Sequence, residues 1–508
     1  MDFLSADVLA SAISTAFLPA NLLAVALGVT AGVILGAVPG LSGTMAIALM
    51  IPLTFHWSPL FSIAILMGCW KGSVFGGSIS AILLNTPGTP EAAPTALDGY
   101  PLSQQGKSMQ AMTMALAASV IGALFSDALL FVAAPAISEF AVTFGPADLA
   151  SLMLLSLVIV SGTGSRSIIK GLMATALGLY LGCIGLDPLT AERRLTFGVL
   201  HLDQGLDLLA MTIGLLVLSE VFVQMREELS SAASAAKPRL PLKGAWLKLA
   251  DLKRAAGVIL RSSIIGSVCG ALPGVGSITA AFMGYDQARM TSGHPETFGK
   301  GELKGVAAAE SANNAVCGTA LVPMLTLGIP GSLSVAIIMG AFMIHGLAPG
   351  PLLMSSEPAF VYSLFLLLLL SDILLFLIPL PLLPLAARLS TIRRAYLLAP
   401  IAFFCFVGAY STNQSLFDVK VMVVFAVIGV FFKRWGISPA ALLIAFILGP
   451  LVENNLRLAL MLSAGDPTVF VTRPLSAVFL GLAVVALGVM TFRRKRPAAA
   501  TVPETARD

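Results

Sequence analysis

Tyr396 to Phe417 and Pro474 to Phe492 each run without a single acidic or basic side chain. Each is close to the ~20 residues that an α-helix needs to cross ~30 Å of hydrocarbon. Across all 508 residues, 57% are hydrophobic and 11% are charged, against roughly a quarter charged in soluble proteins. Mean hydropathy is +0.93. A soluble core of this size cannot hide that much apolar surface, so the solvent is lipid. A barrel would alternate over strands of ~10 residues, and these segments do not. The chain reads as an all-α polytopic membrane protein. Several apolar segments are too short to span alone. Merging them predicts about a dozen transmembrane helices, with discontinuous or re-entrant pieces among them.

Charge placement organises the chain. Arg226, Lys237, Arg239, Lys243, Lys248, Lys253 and Arg254 crowd one polar stretch, against Glu227, Glu228 and Asp251. The positive-inside rule makes that stretch cytoplasmic, and the tail "RRKRP" from Arg493 with it. Asp2 and Asp7 favour an N-terminus outside, and no cleavable signal is expected. If both halves cross an odd number of times, the tail returns to the outside. Either the halves differ by one helix or the N-terminus starts inside. The expected organisation is an N-terminal segment 1–20, a first transmembrane repeat 21–225, a basic linker 226–256, a second repeat 257–492 and a polar tail 493–508. Cys69, Cys183, Cys269, Cys317 and Cys405 are scattered through apolar sequence and read as packing residues.

The two halves repeat each other. "GAVPGLSGTMAI" from Gly36 matches "GALPGVGSITAA" from Gly270, and "LLNTPGT" in the first half answers "TLGIPGS" in the second. Pro87-Gly88 thus corresponds to Pro330-Gly331. This is an internal duplication, and the charge pattern suggests that the two copies are inverted, a common plan among secondary transporters.

Each motif breaks a helix where lipid tolerates no break. Proline removes a backbone donor, and glycine readily leaves helical dihedrals. In hydrocarbon the freed groups cost several kcal/mol each unless protein or water satisfies them. A break that lines a polar cavity presents helix N-terminal amides to an anion and bare carbonyls to a small cation. One such motif could simply let helices pack closely; four in two matching pairs favour a cavity. The candidate substrate and ion region is therefore Pro39, Gly40, Ser42, Gly43 and Thr44; Asn85, Thr86, Pro87, Gly88 and Thr89; Pro273, Gly274, Gly276 and Ser277; and Pro330, Gly331 and Ser332. Asn313 and Asn314 join it, sharing a helical face with Glu310.

Four charged residues are further candidates. Lys71 is isolated in an apolar span, where it attracts an anion or snorkels to the interface. Asp127 in "LFSDALL" and Asp372 in "LLSDILL" share a context, and serve as proton or cation sites or as helix–helix hydrogen-bond partners. Glu310 lies near Lys304 and is expected to reach solvent. His345 is expected to pack. The segment 91–107 reads as a polar turn, with Asp98-Gly99 as its signal. No metal site is read from the Cys and His positions, although sodium remains a candidate ion.

Taken together, "GAVPGLSGTMAIALMIPLTF", "GGSISAILLNTPGTPEAAPTALDGYP", "GALPGVGSITAAFMGYDQAR" and "ESANNAVCGTALVPMLTLGIPGS" strongly resemble the large permease subunit of bacterial tripartite tricarboxylate transporters. The resemblance runs from about Asn21 to about Leu451. It implies a secondary transporter of the bacterial inner membrane that works with a small four-helix membrane subunit and a periplasmic solute-binding protein. It implies uptake of citrate or another organic carboxylate, driven by a proton or sodium gradient. A second copy of the chain is a further candidate partner. The sequence has no Gly-x-x-x-x-Gly-Lys-Ser/Thr loop, so no nucleotide is expected to drive transport; with the transporter reading go the expectations of no cofactor, no nucleic-acid partner and no enzymatic activity. Two alternatives compete. Gly40-Leu41-Ser42-Gly43 fits the pattern of intramembrane serine proteases, with Ser42 as nucleophile, and such a serine needs a base. A channel or a membrane scaffold is the other.

Overall fold

The computed structural model describes residues 5–162, 165, 167–187, 189–230, 244–389 and 394–493. Lys237, Arg239 and Lys243 of the basic linker, and the tail beyond Arg493, lie outside the described residues. The described residues are 80% helical. The one strand pair among the described residues joins Gly185–Leu186 to Arg193–Arg194. Eight of the described helices are long and apolar enough to cross a membrane, and five shorter apolar helices accompany them.

The duplication reappears as a repeated order of helices. In the first half α1 (Pro19–Ala37) stops at a break, α2 (Gly43–Thr54) is short, and α3 (Pro59–Leu84) is long. A second break leads to α4 (Ala93–Gln104) and the long α5 (Ser108–Ala141). In the second half α6 (Leu249–Ala271) stops at a break, and α7 (Gly276–Met290) follows. The long element is split into α8 (Leu303–Thr319) and α9 (Leu321–Leu327). The split falls at Ala320, three residues before Pro323, which has no N–H to offer the Thr319 carbonyl. A second break leads to α10 (Leu333–Ile344), and α11 (Pro358–Leu377) comes next among the long helices.

The breaks agree in backbone detail. Gly40 has φ +93 and its counterpart Gly274 has φ +85, left-handed values that glycine adopts at little cost. Before the second break, α3 ends on Asn85 at φ +52 and α9 ends on Gly328 at φ +71. Ser42 caps α2 by accepting from the Met45 amide at 3.3 Å, and Ser332 caps α10 by accepting from the Val335 amide at 3.3 Å.

The chain divides into two compact units, Met1–Thr143 with Ile184–Arg434, and Phe144–Cys183 with Trp435–Asp508. The smaller unit draws helices from both halves of the duplication. In it, Arg473 binds Asp148 through Nη2 at 2.7 Å and Nε at 3.3 Å, and the Ser151 and Ser476 hydroxyls meet at 2.6 Å.

In the larger unit α1 lies directly on α3. A methyl group added at Gly28, Gly32 or Gly36 would sit 2.2–2.3 Å from the carbonyl oxygens of Ile65, Cys69 and Ser73. Small residues let backbones touch where lipid supplies no hydrophobic drive. The second half repeats this contact, with Gly266 facing the Ala312 carbonyl on α8. Gly32→Ile is therefore expected to destabilise the protein by about 1–3 kcal/mol or more through overpacking. Thermal unfolding in detergent checks it, with a markedly lower midpoint expected for the variant.

Candidate functional site

The two breaks of each half meet. Gly88 packs against the Gly36 carbonyl, and its counterpart Gly331 packs against the Gly270 carbonyl. The Gly274 amide donates to the Gly331 carbonyl at 3.0 Å, and the Gly88 amide donates to the Gly77 carbonyl at 3.1 Å. The bare Gly40 carbonyl receives Gln224 Nε2 at 2.9 Å, and the same nitrogen also donates to Glu220 at 2.8 Å. The halves then converge, because α2 packs on α10 and α7 packs on the turn Pro90–Ala92 that follows Thr89.

The predicted positions differ in access. Gly43, Gly88, Thr89, Pro330, Gly331, Asn313 and Asn314 are buried. Gly40, Ser42, Thr44, Thr86, Pro87, Pro273, Gly274, Gly276, Ser277 and Ser332 are half-buried, and Asn85 is exposed. Pro39 is buried. The Ser42 hydroxyl also meets Thr44 Oγ1 at 2.7 Å. Asn314 Nδ2 donates to Asn313 Oδ1 at 2.6 Å and to the Glu310 carbonyl at 3.0 Å. Asn313 Nδ2 reaches the Glu91 carbonyl at 3.5 Å, which ties the amide pair to the first-half break. A methyl on Gly43 would lie 3.7 Å from Glu91 Oε1. A carboxylate of the chain itself thus stands at the start of α2, where the helix dipole favours negative charge.

Three sequence expectations need correction. Glu310 is not solvated: it is fully buried and accepts from Ser78 at 2.5 Å, from Ser119 at 2.9 Å and from Thr95. Its donors come from α3, α5 and α4, so burial follows from three hydroxyls that local sequence does not reveal. Lys71 neither snorkels nor stands free. It is buried and donates to Asp127, to Asp372 at 2.6 Å and to the Leu368 carbonyl at 3.2 Å. Asp98-Gly99 is no turn, because it lies inside α4. Asp98 Oδ1 accepts from the amides of Gly299, Gly301 and Glu302 at 2.8–2.9 Å, and Oδ2 accepts from the Tyr285 hydroxyl at 2.9 Å.

Ser42 has only its cap partners, Thr44 and Met45, within hydrogen-bond reach among the described residues. His345 terminates α10, and its Nε2 has no hydrogen-bond partner. No hydrogen bond joins Ser42 to His345. Among the described residues no group of three or more His, Cys, Asp or Glu is placed to hold a metal ion. No disulfide joins any of the five cysteines.

The long apolar helices, paired broken segments and buried polar groups define a component of a multi-pass membrane transporter. The chain belongs to the tripartite tricarboxylate transporter TctA family, whose model matches residues 22–444. It is 36% identical over 499 residues to a 52.8 kDa Agrobacterium vitis protein described only by its place in the "TAR-I ttuC' 3'region", with 98% of each chain covered. It is also 42% identical over 220 residues to a second protein of that organism, from the "TAR-II ttuC' 3'region", covering 43% of this chain and 91% of that one. No solved structure matches the chain. Membership in the family implies a tripartite transporter with further subunits.

Replacing Glu310 by Leu would strand three buried hydroxyls, each costing about 1–3 kcal/mol when left without a partner. Glu310→Gln keeps an acceptor oxygen for two of them and offers its amide N–H to the third hydroxyl as acceptor, and it is expected to unfold closer to the wild-type temperature. Equal losses in both variants, measured by thermal unfolding, would contradict the assignment of Glu310 as their common acceptor.

Proposed function

We propose that this chain is the permease subunit of a binding-protein-dependent secondary transporter. It imports tricarboxylates or related organic anions with a proton or sodium ion across the bacterial inner membrane. The observation that carries this reading is the contact of α2, which follows the first break of one half, with α10, which follows the second break of the other. Each begins at a Pro-Gly break, each is capped by a serine, and the two pack on one another. Their first turns offer backbone amides and positive dipole ends to a carboxylate. Ser42, Thr44 and Ser332 add neutral donors beside them. The freed carbonyls and buried carboxylates suit a small cation.

In this reading the two halves are inverted repeats, and alternating access moves part of each repeat against the rest. A periplasmic binding protein delivers the anion, and a small four-helix subunit completes the membrane complex. Family membership supports the tripartite assembly, and the duplicated breaks support a substrate site between the halves.

Uptake of labelled citrate and other carboxylates into vesicles tests the proposal. The vesicles hold this chain with the small subunit, binding protein is added outside, and proton and sodium gradients are imposed separately. Accumulation that needs both a cation gradient and the binding protein is expected. Saturable accumulation with neither, or none of any carboxylate in an assembled complex, would contradict it.

A further inference from the structure

Deep inside the larger unit, one lysine faces two aspartates. Lys71 on α3 donates to Asp127 on α5, and at 2.6 Å to Asp372 on α11. Its third bond, at 3.2 Å, goes to the Leu368 carbonyl, which uses all three ammonium donors. The three side chains are at most 1% exposed. Asp127 Oδ1 and Asp372 Oδ2 accept no hydrogen bond, and both carboxyl groups are seated on the one Lys71 ammonium.

Fully ionised, this cluster carries one uncompensated negative charge. Of the other described cations on elements packed against the cluster, Lys253, Arg254 and Arg261 on α6 and Arg388 on the helix Pro379–Leu389 are exposed, and Lys304 lies in the first turn of α8, far along that helix from Cys317. Neither α1 nor α9 has a titratable side chain, and α2 and α10 have none either. From α8 come Cys317, a buried thiol, and Glu310, which is held by its own hydroxyls. The turn Pro90–Ala92 contributes Glu91, another acid. From α4, Asp98 is committed to the 299–302 amides. A lone buried charge is costly, and two carboxylates that share a site respond by retaining one proton between them. A metal ion would have to enter beside an ammonium already seated on both carboxylates. A proton meets no such obstacle.

The placement suits coupling. Asp127 and Asp372 occupy the same Ser-Asp pair in the two halves, so the site bridges the duplication. Asn314 stands as far before Pro330 as Lys71 stands before Pro87; the second half thus offers a neutral amide where the first has its cation. Movement of one half against the other would change the separation of the carboxyl groups and hence their hold on the proton.

We infer that the Lys71–Asp127–Asp372 triad binds one exchangeable proton and that this proton is the coupling ion of transport. On binding, one aspartate becomes a carboxylic acid, the ammonium and the other carboxylate stay ionised, and the cluster becomes neutral. On release, the proton leaves to water and the cluster regains one negative charge. The coupling half of this inference rests on the transport reading above; the proton site itself does not.

The experiment therefore has two readouts on the full chain in vesicles with its partner subunits. The first is pH-difference infrared spectroscopy of the carboxylic-acid carbonyl band. Wild type is expected to lose a band as pH rises, and Asp372→Asn and Asp127→Asn are each expected to lack it. Asp372→Glu, which keeps a carboxyl group, is expected to retain one. The second readout is carboxylate transport. In Asp372→Asn the Lys71–Asp127 pair is neutral without a proton, so accumulation driven by a proton gradient should fall by about tenfold or more, and exchange should lose its pH dependence. Persistence of the band and of proton-driven accumulation in both Asn variants would overturn the inference. So would accumulation in wild type driven by sodium alone, with no titrating band, although the symporter reading would then survive. Should the Asn variants fail to assemble, a wild type lacking any titrating carboxylic-acid band would still overturn it. A titrating triad in a complex that moves no carboxylate would keep the proton site and remove the transport reading with its coupling.

Discussion

A break in a helix at membrane depth strands backbone donors and acceptors that lipid cannot satisfy. That cost shapes the larger unit. The Gly40 carbonyl is met by Gln224, the Gly274 amide by the Gly331 carbonyl and the Gly88 amide by the Gly77 carbonyl. Ser42 and Ser332 serve amides in the next helical turn. Within each half the two breaks lean on each other, Gly88 on Gly36 and Gly331 on Gly270. This is a physical reason for breaks to come in pairs. A single break would need its partners from elsewhere, whereas two adjacent ones share them and leave the helix starts directed into one region.

The same constraint governs the buried charges. Glu310 is held by three hydroxyls from α3, α4 and α5, and Lys71 by two aspartates from α5 and α11. In both cases ion and partners lie far apart in sequence, so helix placement and charge satisfaction depend on each other. The close glycine contact of α1 with α3, and its echo between α6 and α8, sets the backbone spacing on which these bonds rely. Breaks, glycine contacts and buried ions are thus three consequences of folding polar groups into a medium without water.

What the sequence made legible was whatever carries a local signature. Lipid as solvent, the duplication and the four breaks all follow from runs, repeats and Pro-Gly pairs. Even the matched left-handed turns at Asn85 and Gly328 sit where the alignment of motifs puts them. The partnerships were not legible. Nothing near Gln224 marks it as the acceptor's answer at Gly40. Glu310 misleads because Lys304 is close in sequence, while its donors Ser78, Thr95 and Ser119 are distant. Asp98-Gly99 has the composition of a turn, yet Asp98 receives four donors from the other half, and that tertiary gain overrides local preference. Lys71 could be ranked as unusual, but its two aspartates become neighbours only once α3, α5 and α11 have packed.

Two serine-capped helix starts, one after the first break of one half and one after the second break of the other, are proposed to share one anion. Cysteines placed singly at Ser42 and Ser332 would test this sharing most directly, through the rate at which a small water-soluble thiol reagent labels each of them. If the account holds, a transported carboxylate slows labelling at both positions with the same concentration dependence. Protection at neither position in an actively transporting complex, or at one with the other unaffected, would contradict it.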